Sequence, residues 1–303
     1  MSDLREVTVP VATLWTSPDA PRDVDEAAVR DLPDVAAWAD SMGKDLRHGL
    51  HGRTDSQLLM GEPAVLIEER GDWSKVAAPW QRSSRGEAGY PGWVRTAHLG
   101  PPVPRSEGAT AYVMTRSATC AVAGAAALEL SLGTALWVES VSDRQATVLL
   151  PGEPCGVVSL ADLRLSDKKE QASYDAEGVL HTARTFLGLR YLWGGTSSWG
   201  LDCSGLVHLA WRSHGVLLPR DASDQVDSRH VVPVALDDVR PGDLYFFARP
   251  DEAVYHVGFV TRPVGDDGIR WMLHAPEGGE LIEDAPLAPY RVEHLVSAGR
   301  VER

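Results

Sequence analysis

Cysteine is scarce in this 303-residue chain: Cys120, Cys155 and Cys203 are the full complement, and none forms a CxxC pair. Zinc sites of the usual ligand spacing are therefore not expected. Cys120 and Cys155 have the option of pairing in an oxidising compartment, but two buried thiols is the simpler reading. Positive charge is also in deficit, with 29 Lys and Arg against 43 Asp and Glu and a net charge of −14. A polyanion repels nucleic acid and anionic membrane surfaces, so nonspecific binding to either is disfavoured. No apolar run reaches the length of a membrane span. The opening stretch Met1 to Pro10 lacks the basic end and apolar segment of a secretory signal, so the chain reads as cytoplasmic, with the cell envelope as the alternative. What is present, 44% hydrophobic and 24% charged residues, fits a globular protein of two to three domains that builds its core without staples.

The first half reads as two small β units. Residues 64–68 form a short apolar strand, Gly71-Asp72 a turn, and Trp73 to Ala77 a returning strand; Gly92-Trp93-Val94 through Leu99 closes the unit. A second copy follows, with Ala135 to Glu139, a turn at Ser142-Asp143, Ala146 to Leu150, and a closing segment Gly156-Val157-Val158-Ser159-Leu160-Ala161-Asp162-Leu163. Gly, Val, Ala and Leu recur at matching places in the two closings, which points to duplicated small barrels. The first copy carries an insertion over about residues 22–52, read as one or two short helices split by Pro33. His48 and His51 lie in a Gly-rich loop there, and no acidic or Cys partner sits at ligand spacing, so no metal is expected. Boundaries follow as 1–104 and 105–165 for the two units, a polar linker at 166–174, and an α+β domain over 175–303.

Chemistry concentrates in the last domain. The string Arg190-Tyr-Leu-Trp-Gly-Gly-Thr-Ser-Ser-Trp-Gly-Leu-Asp-Cys-Ser-Gly205 runs a Gly-rich loop into a helix whose apolar face is Leu206, Val207, Leu209, Ala210 and Trp211. Cys203 thus falls at a helix N-terminus, where unpaired N–H groups lower a thiol pKa and hold an oxyanion. A nucleophile needs a base. His256 lies in the apolar-alternating Tyr255-His256-Val257-Gly258-Phe259-Val260, and His274 in Ile269 to Ala275, with a hairpin turn at Val264 to Gly268 between them. Antiparallel pairing would bring the two imidazoles onto neighbouring strands, one as base and the other as its orienter.

These strings, with Arg220-Asp221, Pro241-Gly242-Asp243 and Tyr255-His256-Val257-Gly258, resemble the NlpC-type cysteine peptidases of bacterial cell walls. The Gly-Trp-Val closing followed by a short helix resembles bacterial SH3-like domains. Together the chain is similar to the YkfC-type γ-D-glutamyl-L-diamino acid endopeptidases, specifically over 176–280 and more loosely over 1–165. The resemblance implies a papain-like catalytic domain preceded by two small SH3-like β-barrels. It implies Cys203 as nucleophile, His256 as base and His274 as orienter, no cofactor, and cleavage between γ-linked D-Glu and the diamino acid of murein stem peptides. Asp202 and Ser204 resemble the family's substrate-contacting pair. Asp221 matches a carboxylate that, with one from the first SH3-like domain, holds the substrate's free N-terminal amine; Glu62 in Met60-Gly-Glu62 is the candidate for the second. Two carboxylates facing one buried ammonium make physical sense. Tyr90 resembles a tyrosine that reaches the active site and supports the oxyanion, and Trp193 would line the pocket.

One departure concerns the residue after Asp221: family members often have Ser there, and this chain has Ala222 followed by Ser223. The expected substrate is a short murein peptide, L-Ala-γ-D-Glu-diamino acid. The alternatives are a same-fold cysteine amidase or acyltransferase, against which paired carboxylates speak, and a noncatalytic wall-binding protein, which would not require the Cys203, His256 and His274 set.

Overall fold

The structure is a computed structural model that describes residues 3–104, 108–152, 155–166, 175–277 and 280–302. The linker expected over 166–174 lies outside the described residues except for Ser166, which ends a strand.

The first unit is a seven-stranded sheet in the order Thr54–Leu59, Val11–Trp15, Tyr90–Arg95, Trp73–Ala78, Pro63–Arg70, Leu4–Val7, Leu99–Gly100. The second is also seven-stranded, in the order Leu128–Ser131, Ser117–Val122, Gly156–Ser159, Gln145–Leu149, Ala135–Val141, Thr110–Val113, Leu163–Ser166. Numbered within its own unit, each sheet has the same permutation, and in each the penultimate strand runs into a 3-10 turn, Thr96–His98 or Leu160–Asp162. The weak sequence repeat is therefore a repeat of topology. Ser117–Val122 alternates strictly between exposed and buried residues, as a strand with one wet face does. Val11–Trp15 is buried at every position, because its outer face is covered by the rest of the molecule. Cys120 is packed in the core of the second unit and, like Cys155, is a free thiol.

The insertion in the first unit is more broken than expected. A 3-10 turn at Asp23–Asp25 leads into Glu26–Val29, followed by Val35–Ser41 and Lys44–His48. Pro33 makes the first break, after which Asp34 caps the next helix by accepting from Ala37 N at 2.9 Å. Gly43 makes the second. Trp38 donates its indole N–H to Asp25 at 2.8 Å, and the buried Arg47 donates to the Tyr191 carbonyl at 2.9 Å. The insertion thus ties the first unit to the last.

The C-terminal region packs the helices Ala176–Arg184 and Cys203–Ser213 on a six-stranded antiparallel sheet. Its order is Val231–Val234, Leu295–Val301, Leu244–Phe247, His256–Val260, Trp271–His274, Glu283–Pro286. Helix Cys203–Ser213 is buried along its whole length. Its apolar residues Leu206, Leu209 and Trp211 share one core with Phe246 and Phe259 of the sheet, with Trp15, Leu59 and Trp93 of the first unit, and with Leu132 of the second. That continuous core holds the helix tip rigidly between the sheet and the first unit. Among the described residues no helix is long and apolar enough to cross a membrane.

Candidate active site

The Gly-rich loop folds back as a tight pair of two-residue strands, Thr196–Ser197 and Gly200–Leu201, and delivers Asp202 to the N-cap of helix Cys203–Ser213. Asp202 Oδ1 accepts from Gly205 N at 2.7 Å and Oδ2 from Gly194 N at 3.0 Å. Arg220 clamps the same carboxylate with Nη1 at 3.0 Å and Nη2 at 2.6 Å, reaches Ser204 Oγ at 3.0 Å, and donates Nε to Ser56 Oγ of the first unit at 2.8 Å. Arg220 is fully buried and every arm is committed. The cap residue Asp202, Ser204 beside Cys203, and the first unit are therefore one hydrogen-bonded network.

Cys203 opens the helix and is 6% exposed. The N–H groups of Ser204 and Val257 point at its thiol and favour the thiolate, but burial and the charges of Asp202 and Glu277 outweigh them and push the thiol up to about 12. The sequence expectation of a thiol already ionised at rest is corrected here: the helix tip supplies N–H groups, yet desolvation dominates. On the adjacent strand His256 is 0% exposed, and burial, with the positive charge of Arg291, holds it well below the usual imidazole range. His256 Nε2 lies 2.8 Å from His274 Nδ1, the rings edge-on at 86°. His274 Nε2 is 3.5 Å from the Glu283 carboxylate, and we assign the His274 proton to Nε2, the nitrogen that faces that negative charge. His274 Nδ1 is then the acceptor, His256 Nε2–H the donor, and His256 Nδ1 carries a free lone pair. That Nδ1 is buried with no hydrogen-bond partner among the described residues. The backbone N–H of Val257, the residue after His256, points at the thiol, so a neutral imidazole pair and a neutral thiol meet on neighbouring elements.

Cys203 opens into a cavity of about 310 Å³ whose walls come from both the first unit and the C-terminal region. Asp202, Ser204, Tyr90, Trp193 and Asp221 all line it. The Tyr90 hydroxyl donates to Asp221 at 3.1–3.2 Å and accepts from Arg85 Nη1 at 2.8 Å. Burial and the Asp221 charge raise the Tyr90 pKa, so the phenol stays protonated. Burial also raises Asp221, against the pull of Arg220. Trp193 is pinned by mutual hydrogen bonds with Thr54 and is covered by the His51 ring at 4.0 Å.

Glu62 is not part of this cavity. It is 0% exposed, pairs with the buried Arg212, and accepts from Leu59 N at 2.8 Å. Arg212 would otherwise be an uncompensated buried charge, so the Glu62 carboxylate is consumed in holding helix Cys203–Ser213 to the first unit. The first-unit carboxylate in the cavity is Asp55, bound by Arg85 at 2.8 Å. Asp55 sits on strand Thr54–Leu59 with no motif around it, and Arg85 in a loop. Nothing in local spacing marks either, since they meet Asp221 only through Tyr90. Glu277 also lines the cavity. Ala222 and Ser223 both line it as well, so a hydroxyl remains one residue beyond its family place.

The sequence profile of the NlpC/P60 family matches residues 188–300. A γ-D-glutamyl-L-lysine dipeptidyl-peptidase of Bacillus cereus is 31% identical, over 97% of this chain and 90% of that protein. The protein of the same name from Bacillus subtilis is 34% identical, over 90% of each. The crystal structure of an NlpC/P60 family protein from Bacillus cereus superposes with a TM-score of 0.91 at 30% identity, covering 99% of this chain and 100% of that one. With relatives that match it nearly end to end and a shared fold over the same length, the chain belongs to the NlpC/P60 family.

Proposed function

We propose that this protein is a cysteine endopeptidase that cleaves between γ-linked D-Glu and the diamino acid of murein stem peptides carrying a free N-terminal L-Ala. In this reading residues 1–104 and 105–165 are SH3-like barrels and 175–303 a papain-like catalytic domain. The repeated strand order supports the first assignment. A cysteine at a helix tip packed against a sheet that carries the histidine pair supports the second.

The observation that carries the substrate class is that one cavity joins Cys203 to Asp55 and Asp221. An ammonium placed between the carboxylates and the Tyr90 oxygen gains charge-assisted bonds that a neutral amide cannot make. First-unit residues Thr54, Asp55, Arg85 and Tyr90 line that end, which favours a peptide already detached from glycan. With the γ-carbonyl of D-Glu at the sulfur, His256 Nδ1 takes the thiol proton as the sulfur attacks. Backbone N–H groups at the helix tip receive the developing oxyanion. Collapse expels the diamino acid, whose amine takes the proton from His256, and leaves a thioester. Water deprotonated by His256 then hydrolyses it. His274 accepts the His256 Nε2 proton bond throughout and fixes the ring.

Mass spectrometry of L-Ala-γ-D-Glu-diaminopimelate incubated with the protein should show the dipeptide and free diamino acid, and Cys203→Ala should show neither. N-acetylation of the L-Ala should lower kcat/KM by about a hundredfold or more, because the carboxylates are left facing an uncharged amide. Equal turnover of the acetylated and free peptides would overturn the amine-recognition reading.

A further inference from the structure

Every γ-linked substrate of the proposed kind leaves the D-Glu α-carboxylate free, because the scissile bond uses the side-chain carboxyl. That anion must enter a cavity walled by Asp55, Asp202, Asp221 and Glu277. Burying it there without a cation is costly. Arg220 is close but cannot serve: it is 1% exposed, and Nε, Nη1 and Nη2 are all given to Ser56, Asp202 and Ser204.

Arg85 is the cation among the described lining residues. Its Nη1 holds Asp55 and the Tyr90 hydroxyl, both at 2.8 Å, and its guanidinium lies 4.9 Å from the Tyr90 ring centroid. Nε and Nη2 have no acceptor among the described residues, and the side chain is 45% exposed. A planar fork with donors to spare, anchored by one corner, is suited to a carboxylate.

We infer that Arg85 is a specificity-determining residue that binds the free α-carboxylate of D-Glu, a role that rests on the dipeptide-binding reading above. The resting Arg85–Asp55 pair would then be exchanged for two pairs when the zwitterionic dipeptide enters, Asp55 with the L-Ala ammonium and Arg85 with the carboxylate. The number of buried charges left unpaired does not rise. The same arrangement disfavours peptides whose D-Glu α-carboxylate is amidated, since an amide offers the guanidinium a neutral oxygen and turns an N–H₂ toward it.

The test compares L-Ala-γ-D-Glu-L-Lys with its α-amidated D-isoglutamine counterpart, on wild type, Arg85→Gln, Arg85→Lys and Asp55→Asn. Wild type should prefer the carboxylate form by about tenfold or more in kcat/KM, the value of one charge-assisted pair. Arg85→Gln should collapse that ratio to near one, and Arg85→Lys should keep part of it. Asp55→Asn should lower both rates and leave the ratio in place. Because Arg85 also steadies Asp55 and Tyr90, a fall in both rates is expected for its variants, and the ratio is the readout. A wild-type ratio of one, or an unchanged ratio in Arg85→Gln, overturns the inference. Titration of the two peptides onto Cys203→Ala protein separates the two readings. A carboxylate preference in binding that Arg85→Gln removes, without turnover in wild type, would sustain the role of Arg85 and sink the peptidase.

Discussion

At the scale of single residues, Cys203 shows two effects of opposite sign. A helix N-terminus stabilises a thiolate, and sequence alone makes that effect visible because the cap, the small residues and the apolar stripe are all local. Burial is not local: it comes from the sheet, from Tyr191 and from the first unit, and here it wins, with the thiol pushed up to about 12. Alkylation of Cys203 by iodoacetamide in the substrate-free protein should therefore rise about tenfold per pH unit through at least pH 10. A rate that levels off below pH 8 would mean the sulfur is ionised at rest. Glu62 and Asp55 make the same point about legibility. Both are lone acids, Glu62 in a turn and Asp55 within a strand, and what separates them is a partner far along the chain, Arg212 for one and the Tyr90–Asp221 corner for the other. The triad candidates were legible because each lies in its own recognisable string; the lining carboxylate was not.

At the scale of elements, the helix and hairpin signals in the sequence match what forms: the helix expected to open at Cys203 spans Cys203–Ser213, and the turn expected at Val264 to Gly268 separates the paired strands His256–Val260 and Trp271–His274. Strand Leu295–Val301 was not legible. Its residues, Leu-Val-Ser-Ala-Gly-Arg-Val, show no apolar alternation and hold Gly299 inside, and only its seat between Val231–Val234 and Leu244–Phe247 makes it a strand. A Cβ at Gly299 would come within 2.3 Å of Val231 Cγ1, so the glycine that weakens the sequence signal permits the pairing. Gly205, inside helix Cys203–Ser213, carries the same lesson with a testable sign. In an exposed helix, Gly→Ala is stabilising by about 1 kcal/mol. At Gly205 the added Cβ would sit 2.1 Å from the Gly195 carbonyl oxygen, a backbone atom of the loop that delivers Asp202. Gly205→Ala should therefore destabilise the protein, with a lowered denaturant midpoint, and should reduce kcat as the loop and cap shift. A raised midpoint would show that the loop yields at little cost and that the close approach has no structural role.

At the scale of the whole molecule, the core that runs from the first unit into the C-terminal region encloses several imidazoles, and this gives the protein an acid limit. His208 is 0% exposed in the middle of helix Cys203–Ser213; burial and the charge of Arg212 lower its pKa from 6.5 to about 3. His274 is likewise lowered to about 3, and His256 lies well below its usual range. All three are neutral in the folded protein and become protonated in the unfolded chain once the pH passes below about 6.5. The unfolded state then binds more protons, so stability rises with pH and is lost as pH falls from about 6.5 toward 3, by up to ~1.4 kcal/mol per pH unit for each such histidine. Asp221, whose pKa is raised, works in the opposite sense, but it is one group against these three, and burial lowers His98 and His214 as well. Chemical denaturation between pH 7 and 4.5, above the range where most carboxylates titrate, should show a steady fall in unfolding free energy. His208→Asn should flatten that slope by about one proton's worth, while also lowering stability at pH 7, where the Leu218 carbonyl loses its ring partner at 2.8 Å. A pH-independent free energy over that window, or an unchanged slope in the variant, would mean that the interior admits charged imidazole and that the neutral His256 base assumed in the reaction is not enforced by the fold.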